Sequence, residues 1–431
     1  MSVSQTATAP APATFSSYQK LVVALLAFLQ FTIVVDFMML APLGATVMPA
    51  LKITTNQFGL VVSTYAFSAG ISGILAAGFA DRFDRKKLLM VFYLGFLVGT
   101  LLCALASTYW MLLVARMVTG LFAGVVGSAV FAIVTDLFPI QMRGRVMGVI
   151  QTAFAASTVM GIPLALFLSS HGTWNTPFWM VVVVGAAVGG IIQTKLRPID
   201  EHLKHHPDRS PLHHLLRTVS NPYYIQGFAT TCLLSVGGFM LMPFMSVFTV
   251  NNVGIALAQL PLVYMVMGTF SGVAGPLIGR AADAVGKLQV FALGCLFSVI
   301  MVLIYTHLHR TPLWVVCVIM VVLQISIFSR MIPAQALMSG LPQPSDRGAY
   351  MSVSSSLQQV AGGFAATLSG FVVKQLPTGE LLNYDVLGDV MVLTTTITLI
   401  MMYFINQKIS AAQKADSRQA PLAAEPVPAT E

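Results

Sequence analysis

The chain has 431 residues, 56% of them hydrophobic and only 9% charged, with a formal net charge of +8. A water-soluble domain carries roughly 25% charged residues, so this composition excludes a soluble globular protein. A bilayer core about 30 Å thick needs about 20 apolar residues per helix. Once such helices are assigned, no long soluble domain is left over. The positive balance does not mark a nucleic-acid binder, because its meaning lies in where the charges fall.

Residues 1–19, rich in Ala, Pro, Ser and Thr, read as a disordered tail without the basic start and cleavage site of a signal peptide. Twelve apolar runs follow, at roughly 20–43, 57–80, 87–107, 110–138, 145–170, 177–196, 223–250, 258–281, 288–308, 312–340, 348–374 and 385–407. They form two sets of six, 20–196 and 223–408, around a polar linker at 197–222. A second polar tail covers 409–431. The linker holds His202, His205, His206, His213 and His214, but no paired carboxylate or cysteine completes a metal site. It reads as a solvated connection. Cys103, Cys232, Cys295 and Cys317 all sit in apolar runs and read as small core residues, with no disulfide or metal spacing.

Orientation follows from Lys and Arg. With the N-terminus in the cytoplasm, eighteen of the 23 basic residues face inward. Only Lys52, Arg310 and Lys374 face outward, and Arg116 and Arg330 lie inside spans. The chain is therefore expected to be an all-α, multi-pass membrane protein of twelve helices with both termini cytoplasmic. A repeat supports two pseudo-symmetric halves. Asp81 recurs as Asp283 and Arg143 as Arg347, at offsets of 202 and 204. Parallel six-helix repeats are one of the ways transporters are built.

Three charges lie within the spans. Asp36 sits in Phe31-Thr-Ile-Val-Val-Asp36-Phe-Met-Met, the one acid well inside any run. A carboxylate there costs several kcal/mol if charged and unpaired. It reads either as a proton-coupling group that alternates between protonated and charged forms, or as a structural acid in a permanent ion pair. Arg116 is its natural partner. Asp36 lies about 24 Å from the inner start of span one and Arg116 about 10 Å from the outer end of span four, nearly the same depth. Arg330, in span ten, has no acid nearby. It reads as a cavity cation suited to an anionic substrate or as an inter-helix structural arginine. Gln30, Tyr65, Gln151 and Gln358 are polar residues within spans, and with Phe239 they are cavity candidates.

The loop Gly78-Phe-Ala-Asp81-Arg82-Phe-Asp84-Arg85-Lys86 resembles motif A of the major facilitator superfamily, with Asp84 in place of the second glycine. Gly279-Arg280-Ala-Ala-Asp283-Ala-Val-Gly286-Lys287 is a weaker copy. Arg116-x-x-x-Gly120-x-x-x-Gly124 is similar to motif B, and Gly161-Ile-Pro163-Leu164 to the antiporter motif C, without its trailing glycines. The resemblance spans about residues 20–408 and is nearest to the bacterial twelve-span drug:proton antiporters of the arabinose-efflux-like branch.

That resemblance implies two bundles rocking about a midplane cavity, with Asp36 and Arg116 coupling proton to substrate. It implies that the span-five bend at Gly161 and Pro163 seals against span eight. It also implies a cytoplasmic latch in which Gly78 and Arg82 shape the loop, Asp81 faces the start of span eleven, and Arg85 reaches Asp136. Asp283 and Lys287 would mirror this with Arg143. The implied function is proton-driven efflux of small amphipathic compounds from a bacterial inner membrane, by a monomer. No ATP, haem or metal motif and no enzyme constellation is present, so the proton gradient is the expected energy source. The expected partners are a small-molecule substrate, protons and membrane lipid, with no nucleic acid. An importer of a sugar, carboxylate or other metabolite, and a lipid flippase or transporter-like sensor, are the rival readings.

Overall fold

A computed structural model of the chain describes residues 15–200, 218–343 and 346–419. The five linker histidines lie outside the described residues, as do the side chains of Gly78, Asp81 and Gln151.

Local signals in the sequence set the helix starts. Helix α1 (Ser17–Met39) opens on a capping box in which Ser16 Oγ accepts from Gln19 N–H and Gln19 Oε1 accepts from Ser16 N–H. The helix thus begins inside the segment expected to be disordered. A short helix, α2 (Gly44–Leu51), leads to α3 (Thr55–Phe79), which opens on the same device at Thr54 and Gln57. Asp84 caps α4 (Arg85–Leu105) and Thr108 caps α5 (Tyr109–Leu137). Span five is two helices, α6 (Ile140–Ala156) and α7 (Ile162–His171), joined by a π turn at Ser157–Gly161. Helix α8 (Thr176–Lys195) completes the first six spans.

The second six begin with α9 (Pro222–Phe239), which carries proline in its first turn where no N–H is needed, and continue in the short α10 (Met245–Asn251). They go on as α11 (Leu260–Val285), α12 (Lys287–Thr306), α13 (Leu313–Met338) and α14 (Arg347–Val372). A two-residue hairpin follows, β1 (Lys374–Gln375) antiparallel to β2 (Leu381–Leu382). Helix α15 (Tyr384–Gln419) runs past the boundary expected at 408.

Among the described residues, eleven segments are long and apolar enough to cross a membrane. The twelfth long helix, α14, has 26 residues, about 39 Å, but is interrupted by Ser352, Ser354, Ser355, Ser356, Gln358 and Gln359. Ser354, Ser356, Gln358 and Gln359 are buried or half-buried and Ser352 and Ser355 are exposed, and the helix packs face to face with α3 between the bundles.

The seam between bundles is closed at the end away from the termini. Thr55 Oγ1 donates to Val373 O at 2.7 Å, Ser246 Oγ to Ala41 O at 3.1 Å, and the rings of Phe58 and Phe244 lie 5.9 Å apart. Gly59 is forced small there: a Cβ would meet Ala366 O at 2.7 Å and Gly370 Cα at 3.0 Å. Toward the terminal-bearing end the seam between α11 and span five parts. A Cβ on Gly268 would stand 2.8 Å from Thr158 O, and one on Gly272 3.1 Å from Val159 Cγ2. At Gly275 the nearest atom is Ile332 Cδ1 at 4.0 Å, and Gly279 has none within 4 Å.

Candidate functional site

Asp36 and Arg116 form an ion pair. Arg116 Nη1 stands 2.9 Å from Asp36 Oδ2 and also donates to the Asp36 carbonyl at 3.2 Å. Asp36 is 0% exposed and Arg116 1%. Each helix presents its charge inward because other positions on that stripe are apolar and buried: Leu29 and Ile33 on α1, and Leu112 and Ala123 on α5. A third helix closes the site, with Thr100 Oγ1 3.2 Å from Asp36 Oδ1. A fourth supplies Tyr65, whose ring lies 4.3 Å beneath the Arg116 guanidinium carbon. Gly120 lets α5 come this close, since a Cβ there would clash with Tyr65 backbone. Two donors beside the pair, Arg116 Nε and the Tyr65 hydroxyl, have no hydrogen-bond partner among the described residues. A desolvated pair of this kind holds together only with good geometry and added hydrogen bonds. It can serve as a charge switch, because protonating Asp36 frees Arg116.

The pair borders the seam. The Phe37 ring lies 5.1 Å from the Tyr65 ring and 6.0 Å from that of Phe239 in the opposite bundle. A pocket at this point is lined by Phe37, Val62, Ala66, Phe239, Met242 and Gly362, among others. Gln30 is two turns before Phe37 on one stripe, and Gln358 one turn before Gly362, which faces Phe239. Both are half-buried. These candidates therefore share one seam.

Arg330 does not join them. Its Nη1 donates to Thr395 Oγ1 at 2.5 Å and Ser298 Oγ at 3.3 Å, on α15 and α12 inside the second bundle. It lies on the buried stripe of α13 with Leu323, Ser326 and Leu337. The reading as a cavity cation gives way to the structural one.

At the terminal-bearing end, Arg85 Nε meets Asp136 Oδ2 at 2.8 Å and Arg85 Nη1 donates to Ala80 O at 3.0 Å. Arg82 is exposed. Arg143 does not reach toward Asp283 as expected. It donates to Phe138 O at 2.9 Å and Thr135 O at 2.6 Å, satisfying the last carbonyls of α5. Asp283 is exposed and Lys287 half-buried, on either side of Gly286 at φ +121°.

The family model described as Major Facilitator Superfamily matches residues 26–423. The chain belongs to this superfamily. An MFS-type transporter of Bacillus subtilis, YceJ, is 25% identical over 62% of this chain and 68% of its own length. An MFS-type transporter of Mycobacterium tuberculosis is 30% identical over 37% of this chain, a match that spans only 24% of that longer protein. Multidrug resistance protein 3 of Bacillus subtilis is 28% identical over 30% of this chain and 26% of its own. Among solved structures, the nucleoside transporter NupG superposes with a TM-score of 0.70 at 13% identity, covering 90% of this chain and 99% of that one. A bacterial homologue of the lysosomal transporter Spinster gives 0.67 at 14%, covering 93% and 98%. These establish the transporter fold, and the protein is not an enzyme.

Within the superfamily pattern, Asp84 is the departure, and the structure gives it two tasks. Its Oδ1 accepts from Lys87 N–H at 2.8 Å, capping α4, and its Oδ2 accepts from Ile199 N–H at 2.9 Å. Arg85 N–H donates back to Ile199 O at 3.0 Å. The first stretch of the inter-bundle linker is thereby fastened to the motif A loop. Span five departs too. Gly161 itself packs against Val35 of α1, where a Cβ would collide, while the bend meets α11 through Thr158, Val159 and the following α7. Pro163 has no N–H to give the carbonyl four residues back. The π turn just before it, with Ile162 N–H on Ser157 O, takes up the shift. Thr100 escaped the sequence reading because a threonine in an apolar run, 64 residues from its partner, carries no local signal.

Proposed function

We propose that this membrane protein is a proton-coupled exporter of small amphipathic organic compounds, working in a bacterial inner membrane with its termini in the cytoplasm. The observation that carries this reading is the buried Asp36–Arg116 pair at the edge of the inter-bundle seam. With Asp36 charged, Arg116 is neutralised and the site carries no net charge. When a proton entering from outside neutralises Asp36, Arg116 loses its counter-ion. Burying a lone guanidinium is costly, so protonation drives a rearrangement that presents Arg116, and its spare Nε–H, to the seam. The Tyr65 hydroxyl is a second spare donor. The surrounding wall is aromatic and methionine-rich at Phe37, Phe239 and Met242, a soft surface that fits varied apolar groups.

The closed outer seam, with α11 and span five parted on the terminal side while α3 still meets α14 at Gly73 and Ser356, fits a state partly open toward the cytoplasm, where an exporter loads. Motif C residues and the likeness to a multidrug resistance protein lean the same way.

The test uses everted vesicles carrying the protein, a respiration-driven pH gradient and a pH-sensitive dye. Ethidium added at the cytoplasmic face should dissipate the gradient. Asp36→Asn should abolish the response while the protein still inserts. A gradient unmoved by ethidium but dissipated by sugars or carboxylates on the opposite face would transfer the same pair to an importer.

A further inference from the structure

Thr100 is the group around Asp36 that the function has not yet used. Resting on the coupling role of Asp36, we propose that the Thr100 hydroxyl is a positioning device that keeps Asp36 hydrogen-bonded in both of its protonation states. The geometry is specific. Asp36 Oδ2 is taken by Arg116, which leaves Oδ1 as the oxygen able to receive a proton. The partner of Oδ1 is Thr100 Oγ1 at 3.2 Å. The same hydroxyl lies 3.0 Å from Phe96 O, one turn back in α4. A hydroxyl has one proton to donate and lone pairs to accept with, so it cannot donate to both acceptors at once. Two arrangements are available, and each suits one state of the carboxyl. When Asp36 is charged, Thr100 donates to Oδ1. When a proton binds to Oδ1, the new O–H donates to Thr100 Oγ1, and the threonine proton turns to Phe96 O. The threonine keeps its covalent O–H bond and only exchanges hydrogen-bond partners, and no other group is oxidised, reduced or deprotonated.

The titratable and charged groups facing Asp36 are Arg116 from α5, Tyr65 from α3 and Cys103 from α4, with Tyr93, two turns before Thr100 on α4, bonded to Thr32. Cys103 is drawn toward Thr119, with Sγ to Oγ1 3.8 Å, and the Tyr65 hydroxyl is unpartnered. Thr100 is therefore the group placed to compensate Oδ1 in either state. Without it, each protonation event in this dry site would leave an oxygen or a proton unsatisfied, at a cost that slows the step.

The bland alternative is a threonine that bonds only to its own helix, as buried threonines in spans commonly do. Infrared difference spectroscopy of the purified, lipid-reconstituted protein separates the two without any substrate. The probe is the carboxyl carbonyl band on titration from pH 5 to pH 9, assigned to Asp36 by its loss in Asp36→Asn. Thr100→Val keeps the shape and removes the hydroxyl. It should move the band of the neutral acid to higher frequency, because its acceptor is gone. It should also shift the titration midpoint toward higher pH by up to about one unit, because the charge-assisted bond is the stronger of the two lost. Thr100→Ser should restore both. In ethidium-driven proton flux, Thr100→Val should lower turnover about tenfold with little change in half-saturating ethidium.

An Asp36 band that titrates identically in wild type and Thr100→Val overturns this inference and leaves the coupling role standing. A protein in which no Asp36 band titrates at all overturns both.

Discussion

The Arg116 guanidinium carbon rests 4.3 Å from the Tyr65 ring centroid while its Nη1 holds Asp36. One cation thus ties α1, α3 and α5 together. Because α3 is also the helix that closes against α14 across the seam, a movement between the bundles is felt at the ion pair through this ring.

The stack and the hydroxyl of Tyr65 are separable. Tyr65→Phe keeps the ring and removes a hydroxyl that has no partner, so stability should be unchanged or higher by up to about 1 kcal/mol. Tyr65→Leu removes the ring face and should cost about 2 kcal/mol and weaken coupling. Thermal denaturation in detergent, with ethidium-driven proton flux in vesicles, compares the three proteins. If Tyr65→Phe loses transport while staying folded, the hydroxyl has a partner in another state of the cycle.

Breaking one side of the buried pair should be worse than removing both charges. Arg116→Gln leaves a carboxylate without its counter-ion in a dry site, a loss of about 3–5 kcal/mol. Adding Asp36→Asn should recover more than half of that loss. A double-mutant cycle on unfolding midpoints reads the coupling directly. Additive losses would mean that the two charges are compensated elsewhere.

Most helix ends were legible to within a few residues because apolar length and capping residues are local properties, while α15 runs on to Gln419. The Asp36–Arg116 pair was legible because two charges in apolar runs at equal depth have few other places to go. Arg330 was left between two readings for the same reason. A sequence shows a charge in a span but not which way the helix turns it, and Ser298 and Thr395, which satisfy it, are too ordinary to flag. Gly161 was read through its motif: that it faces Val35 while its neighbours meet α11 depends on a π turn that shifts the register of the residues after it. Asp84 looked like a weakened motif and is a cap with a second anchor.

That second role is testable by restoring the superfamily glycine. Asp84→Gly removes the side chain that caps α4 and holds Ile199 N–H. The lost cap should cost a few tenths to about 2 kcal/mol, and the linker start, left with Arg85 N–H on Ile199 O and Arg197 N–H on the Tyr18 hydroxyl, should loosen. Limited proteolysis should cut the linker several-fold faster in Asp84→Gly than in wild type, while Asp84→Asn, which still caps, should lie between them. Equal cleavage rates would show that the clasp at Ile199 does not hold the linker.

The outer seam depends on the absence of side-chain atoms at one point. Gly59 meets Ala366 O and Gly370 Cα at distances no Cβ can occupy, and Thr55 to Val373 lies one turn beyond. A larger residue at 59 must push α3 from α14 there, and the clash belongs to the conformation in which this end of the seam is closed. Gly59→Val should penalise that state by about 1–3 kcal/mol, a shift of about 5- to 150-fold in the balance between states. Spin labels at Lys52→Cys and Lys374→Cys, both exposed at this end, should then report a longer distance distribution. Gly127→Ala is the control, since nothing lies within 4 Å of a Cβ there, and it should leave the distribution unchanged. In vesicles, Gly59→Val should load ethidium poorly from the cytoplasmic face, because the conformation that opens inward is the one it disfavours. A distribution that stays short would mean that α14 yields locally and that the seal is carried by Ala41 and Ser246 instead.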